Sequence, residues 1–135
     1  MQTGNTDLRV RADIEVIVLA FYQSAIQDPE IGYIFTDVAN LNLEAHIPVI
    51  CDFWETVLFG NMVYRGSVVH KHILLHNKSK LLPEHFEKWL GIWRTTVDSL
   101  FKGEKAEEMK NRAYMMAEMM KHKIKYFDNN PNAII

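Results

Sequence analysis

Apolar positions along this chain recur mainly at the three- and four-residue spacing of amphipathic helices. They predict four long helices and one short helical segment, with no credible pair of strands. The first long helix is expected over residues 13–27, with Asp13 as its N-cap and the pair Asp28-Pro29 as its stop. The chain should therefore be all-α, with residues 1–12 as a polar N-terminal extension or short helix.

The second long helix is expected over Leu43–Phe59, with Gly60 just past its end. Pro48 is awkward there, because it lacks a backbone donor and is tolerated only in the first turn. We therefore expect this helix to begin near Ala45 or to be kinked at its start.

Three further segments complete the pattern. Ser67 can cap the short segment, which the polar residues 77–80 end. Pro83 opens the third long helix, which stops at Gly103. The fourth runs from Glu104 to about Phe127, with acidic residues first and lysines last, as the helix dipole favours. We expect residues 13–127 to form one domain and residues 128–135 to be a flexible tail.

Composition narrows the class of protein. The 135 residues suffice for one domain with a real core, and 48% hydrophobic with 24% charged residues is the soluble globular range. A net charge of -2 argues against a nucleic-acid partner. A single cysteine, no signal-like N-terminus and no long apolar run indicate a cytoplasmic protein without a membrane partner.

Six histidines in so short a chain invite a metal interpretation, and His70, His72 and His76 lie in one segment. A structural zinc site needs four ligands, however, and the single cysteine and distant acids supply no clear complement. His70, His76 and His85 are expected to be partly exposed polar residues. Cys51, in an apolar helix without a basic neighbour, is expected to be a buried small residue rather than a nucleophile.

A haem uses a single histidine instead. Non-covalent haem needs one axial imidazole, an apolar slot and a distal chamber with suitable donors, and no C-x-x-C-H motif for covalent attachment occurs. His72 has apolar neighbours that would keep water from an iron–imidazole bond, and a backbone carbonyl in the preceding turn would be its second partner. His72 is therefore the candidate iron ligand.

Three polar groups lie on otherwise apolar faces of three different helices: Tyr22, His46 and Trp89. Each alone is commonly an edge residue, an exposed residue or core packing. Their joint occurrence on three long helices, with a candidate iron ligand on a fourth segment, weighs against coincidence.

These residues carry a resemblance to the truncated haemoglobins of the 2-on-2 type, and within them to group III. The resemblance covers roughly residues 14–127. The matching pieces, in order, are Phe21-Tyr22, the run His46-x-x-x-Ile50-x-x-Phe53-Trp54, Tyr64-x-Gly66, His72, the run Pro83-x-x-Phe86-x-x-Trp89-Leu90 and Asn111-Arg112-Ala113.

The resemblance implies a two-over-two helical sandwich around haem b, with the iron on His72 rather than on the nearby His76. It places Tyr22, His46 and Trp89 on the distal side. The pocket wall is expected to include Phe21, Ile50, Phe53, Trp54, Val69, Phe86 and Met116. Arg65, His70 and Lys71 are candidates for the haem propionates on charge alone.

The expected function is binding of O2 and other diatomic ligands such as NO and CO, in a donor-rich pocket that favours tight O2 binding and also suits NO or peroxide chemistry. One alternative is a haem enzyme proper, an NO dioxygenase or peroxidase, which would need an external redox partner. The other alternative is a haem-free helical interaction domain, in which Tyr22, His46 and Trp89 are only core.

Overall fold

The computed structural model describes residues 5–130, with the side chain of Val69 left out. It contains five helices and one π-helical turn, Ile34–Val38, and residues 5–130 include no strand. The helices are α1 (Arg11–Ile26), α2 (Leu43–Phe59), α3 (Val68–Lys78), α4 (Pro83–Leu100) and α5 (Glu104–Asn129). The predicted all-α class is confirmed.

The helices form two pairs. α1 packs on α2 and α4 packs on α5, while α1 also contacts α4 and α2 contacts α5. The short α3 lies against α5. This is the expected two-over-two arrangement, and its core is built from apolar side chains that every long helix contributes.

The first helix begins earlier than its sequence suggests. Val10 is the N-cap and Asp13 lies in the first turn, where its carboxylate accepts from the backbone N–H of Arg9 at 2.8 Å and of Val10 at 3.2 Å. Residues 5–10 are not helical, yet Leu8 is buried in the core. At the other end, Asp128 and Asn129 belong to α5, and the predicted tail beyond residue 130 lies outside the described residues.

Pro48 lies inside α2, which runs without interruption from Leu43 to Phe59. Of the two expectations for its start, a beginning near Ala45 is wrong, and a kink there stays a prediction. The helix begins at Leu43 because the Asn42 side chain caps it by accepting from the backbone N–H of Ala45. The guanidinium of Arg11 donates to the Pro48 carbonyl at 3.1 Å. A contact from α1 therefore supports the helix at its proline.

The start of α5 is capped from a distance. The Asp7 carboxylate accepts from the backbone N–H groups of Lys105 at 2.8 Å and Ala106 at 2.9 Å, which the helix itself leaves without partners. Gly103 precedes the helix with φ of 147°, and a Cβ there would collide with the Asp7 carboxylate. The N-terminal segment is thus tied to the start of the last helix.

None of the helices in the described part of the chain is long and apolar enough to cross a membrane.

Candidate functional site

A cavity of about 380 Å³ lies between the helix pairs and reaches all five helices and the π-helical turn. Its volume falls within the range of sites for small molecules, and its wall is predominantly apolar. The apolar part of the wall comes mainly from α1, the π-helical turn, α2 and α4, with Met116, Ala117 and Met120 of α5.

His72 reaches this cavity from α3. Ser67 caps the helix by accepting from the backbone N–H of His70 at 3.1 Å. His72 Nδ1 lies 2.8 Å from the carbonyl oxygen of Val68, so Nδ1 carries the proton and donates. This confirms the expected backbone partner in the preceding turn, and it leaves the Nε2 lone pair of the neutral ring available for another partner.

The environment of His72 favours that neutral form. Burial lowers its pKa below the ordinary value, and the hydrogen bond to Val68 offsets this only in part. A neutral imidazole with one protonated and one bare nitrogen is the form that ligates a metal.

His76 is buried, which corrects the expectation of a partly exposed side chain. Its Nδ1 accepts from the backbone N–H of Leu81 at 2.9 Å, and its Nε2 lies 2.9 Å from the Asp128 carboxylate, to which it donates. The sequence could not show this, because Asp128 lies on α5, 52 residues away. Since both ring nitrogens are engaged, His76 is not placed to compete with His72 as a ligand.

His70 and His85, which were expected to be partly exposed like His76, behave as predicted. His70 is exposed, and His85 is half-buried. His85 lines the cavity, and its Nδ1 accepts from the backbone N–H of Leu82 at 2.9 Å.

Tyr22 and His46 form a hydrogen-bonded pair in the cavity. The Tyr22 hydroxyl lies 2.8 Å from His46 Nε2. The orientation of His46, which Pro48 made uncertain from sequence, is inward. Burial raises the pKa of Tyr22, and burial, together with the nearby charge of Lys71, lowers the pKa of His46. The phenol therefore keeps its proton, and the imidazole is neutral.

The tautomer of His46 decides what this pair offers to a ligand. When Nδ1 carries the proton, the Tyr22 hydroxyl donates to Nε2 and is used up. When Nε2 carries it, His46 donates to the phenol oxygen, and the hydroxyl proton is free to point elsewhere in the cavity. A ligand that accepts from Tyr22 therefore selects the second tautomer.

Stacked tryptophans form the inner wall of the cavity. The ring of Trp93 stacks on Trp54 at 5.2 Å and on Trp89 at 6.0 Å, and Phe21 meets Trp93 edge-on at 5.1 Å. Trp93 is buried, and its indole N–H has no partner among the described residues. An unpaired buried donor at a cavity wall costs roughly 1–3 kcal/mol.

The structure gathers the predicted site residues around this one cavity. The wall includes His72, the distal set Tyr22, His46 and Trp89, and the predicted wall residues Phe21, Ile50, Phe53, Trp54, Phe86 and Met116. Val69 belongs to α3, but its side chain lies outside the described part of the structure. This shared location does not test their individual roles, which stay predictions.

Sequence reasoning missed several wall residues. Trp93 follows Trp89 by one helical turn and was available as a signal, whereas Phe35 lies on the π-helical turn, which the periodicity did not resolve. Lys71 and Lys78 also line the cavity while remaining exposed, so they mark its mouth. Of the residues proposed for propionates on charge alone, Lys71 is among the wall residues, and Arg65 and His70 are not.

The residues present fit a haem group. Among residues 5–130 no three His, Cys, Asp or Glu side chains come together as a ligand set, so a bare ion would find few ligands. A macrocycle that supplies four nitrogens of its own needs only the one imidazole of His72. The apolar wall suits its faces, and Lys71 and Lys78 at the mouth suit carboxylates at its edge.

Two helix pairs enclosing such a cavity define the fold as that of a truncated haemoglobin. A crystal structure of the group III truncated hemoglobin from Campylobacter jejuni superposes with a TM-score of 0.79 at 22% identity, covering 90% of this chain and 95% of that one. The group 3 truncated hemoglobin ctb of Campylobacter jejuni is 29% identical over 103 residues, which are 74% of this chain and 76% of that protein. No family model matches the chain. The predicted resemblance to group III truncated haemoglobins is confirmed in sequence and in fold.

Proposed function

We propose that this protein binds haem b in the central cavity, with His72 Nε2 as its iron ligand, and that its function is to bind O2 and related diatomic ligands. One observation carries the proposal. His72 donates from Nδ1 to the Val68 carbonyl at 2.8 Å and keeps Nε2 bare at the wall of an apolar cavity. The likeness to two group III truncated hemoglobins supports it.

Each wall has a distinct task in this proposal. The haem iron supplies the binding position for the gas. α3 supplies His72 as the iron ligand. It also supplies Lys71 and Lys78 as the cations that hold the propionates. The aromatic wall excludes water from the pocket, and Tyr22 with His46 orients a proton toward a ligand that carries partial negative charge.

A donor-rich pocket slows the escape of O2, and it also assists reaction with NO or peroxide. We infer tight O2 binding as the primary property. Turnover as an NO dioxygenase or peroxidase is the second candidate, favoured by the Tyr22–His46 pair and the further indole groups of Trp89 and Trp93 in the wall. Such turnover needs electrons from a redox partner. Turnover measured with an added reductant separates it from simple binding.

The test is an optical spectrum of the purified protein in its ferric, ferrous and carbonyl forms. His72→Gly should abolish or weaken haem binding, and added imidazole should restore the spectrum of an imidazole-ligated haem, because it occupies the vacated position. His70→Ala is the matched control, since it removes an exposed histidine from the same helix.

The haem-free interaction domain makes the opposite prediction. In that case the protein is colourless, and adding haem changes no spectrum. The volume of the cavity, about 380 Å³, argues against this alternative. Interiors that serve only as core are packed with few voids larger than a water molecule. A His72→Gly protein with an unaltered haem spectrum would remove His72 from the proposal.

A further inference from the structure

The outer face of α5 carries exposed apolar side chains that the cavity does not use. One face of the helix carries four residues at intervals of four, three and four: Met115, Met119, His122 and Tyr126. Met115 is 63% exposed, Met119 43% and Tyr126 53%. We call these four residues the outer stripe. It lies opposite the buried face of α5, which packs on the core.

The outer stripe has charges of opposite sign at its two ends. Glu104 and Glu108 continue the same face toward the start of α5, at multiples of the helical repeat before Met115. Lys123 and Lys125 flank the far end, and both are exposed. Glu108 also pairs with Lys105 and Arg112, so this end of the stripe keeps only a small acidic excess. The middle is apolar and the far end is basic.

A groove of about 580 Å³ runs along the acidic end. Glu104, Glu108, Asn111, Arg112 and Met115 contribute to its wall. It lies on the outer surface of α5, away from the central cavity. A tyrosine-sized side chain arriving from outside has room there.

We propose that a second copy of this chain packs on the outer stripe, with the two α5 helices antiparallel about a two-fold axis near Met115 and Met119. In a two-fold contact the same patch meets itself, so each acidic end meets a basic end. Tyr126 of each copy then reaches the groove beside Glu108 and Arg112 of the other. The helix dipoles are antiparallel as well, which adds to the attraction.

The charge pattern favours this partner over others. A protein patch of one sign would match only half of the outer stripe. An anionic bilayer would attract Lys123 and Lys125 but repel Glu104 and Glu108. Only an occupant with the reversed order of charges matches the whole length, and an antiparallel copy has that order.

The size of the contact sets the expected strength. The face from Glu104 to Tyr126 spans 22 residue steps, which is roughly 33 Å of helix. A single helix pair of this length buries on the order of 1,000 Å² in total, near the lower limit for specific interfaces. The dimer should therefore be weak, reversible and dependent on protein concentration.

Sedimentation velocity of the full chain, from micromolar to millimolar concentration, tests the proposal without reference to haem. We expect a monomer that converts to a dimer as the concentration rises. Met115→Lys should raise the dissociation constant about tenfold or more, because it places a charge at the centre of the contact. Met62→Lys is the matched control, since Met62 is 78% exposed in the loop after α2 and lies off the stripe. Its dissociation constant should not change.

Charge reversal tests whether opposite charges on the two copies pair with each other. Two double variants are compared: Lys123→Glu/Lys125→Glu and Glu104→Lys/Glu108→Lys. Each should be monomeric alone, and an equimolar mixture of the two should form a heterodimer. Circular dichroism checks that each variant remains helical. A chain that stays monomeric at millimolar concentration would overturn the proposal, as would equal loss in Met62→Lys or a mixture that stays monomeric. Monomers that bind phosphatidylserine vesicles instead would assign the stripe to a membrane surface and overturn it too.

Discussion

Replacing Tyr22 with phenylalanine tests the polar side of the cavity most directly. The substitution deletes one oxygen from a buried ring and keeps the ring's edge-on contacts with Phe21 and Phe35. What disappears is the hydroxyl that lies 2.8 Å from His46 Nε2. The variant therefore removes the hydroxyl group and leaves the packing of the ring unchanged.

The size of the effect follows from the charge on the ligand. A hydrogen bond to a charged partner contributes roughly 1.5–3 kcal/mol, and every 1.4 kcal/mol corresponds to about a factor of ten. If Tyr22 donates to bound oxygen, the O2 dissociation rate should rise by about 10- to 100-fold in Tyr22→Phe. The association rate should change less, because the lost bond forms only after entry.

Stopped-flow displacement of O2 by CO measures the dissociation rate. Tyr64→Phe is the matched control, because it deletes the same atom from another tyrosine in the cavity wall. The rate in Tyr64→Phe should stay close to that of the parent. An unaltered rate in Tyr22→Phe, with the haem spectrum intact, would refute the donor role of Tyr22.

Two further predictions concern stability and reactivity. Asp7→Ala should lower the free energy of unfolding in urea by about 1 kcal/mol, because α5 loses its N-terminal cap. The exposed control Glu30→Ala should stay within about 0.5 kcal/mol. Burial alone would raise the pKa of Asp7, but three backbone N–H groups lower it overall. The stabilisation is therefore present above about pH 4 and is lost as the pH falls through the lowered pKa, so a parent–variant difference that persists in strong acid would contradict the cap. Burial raises the pKa of the Cys51 thiol to about 11, so a thiol reagent near neutral pH should label it only after unfolding, and rapid native labelling would refute its burial.

Most helix positions could be predicted because helices are specified by neighbours in sequence. The last residue of α2 and the first residues of α4 and α5 match the prediction. The errors concern which nearby side chain caps the start of a helix. α1 begins at Arg11 because Asp13 caps from inside the first turn, and α2 begins at Leu43 rather than near Ala45 because the Asn42 side chain caps it.

The histidines of the site also differ in how far their partners lie along the sequence. His72 could be singled out because its apolar neighbours and its Val68 partner lie within one helical turn. His76 could not be assigned correctly, because its partner Asp128 lies 52 residues away on another helix. Likewise, nothing near His46 in sequence showed that its ring meets the Tyr22 hydroxyl.

The sequence by itself determined the all-helical class, the order of the helices and the set of residues worth testing, because periodicity, caps and local hydrogen bonds act over a few residues. Only the tertiary structure decided that these residues surround one cavity, that Tyr22 and His46 form a hydrogen bond there, and that His76 is engaged elsewhere. Those outcomes depend on how α1, α2, α3 and α5 pack, and packing is set by contacts between residues far apart in the chain.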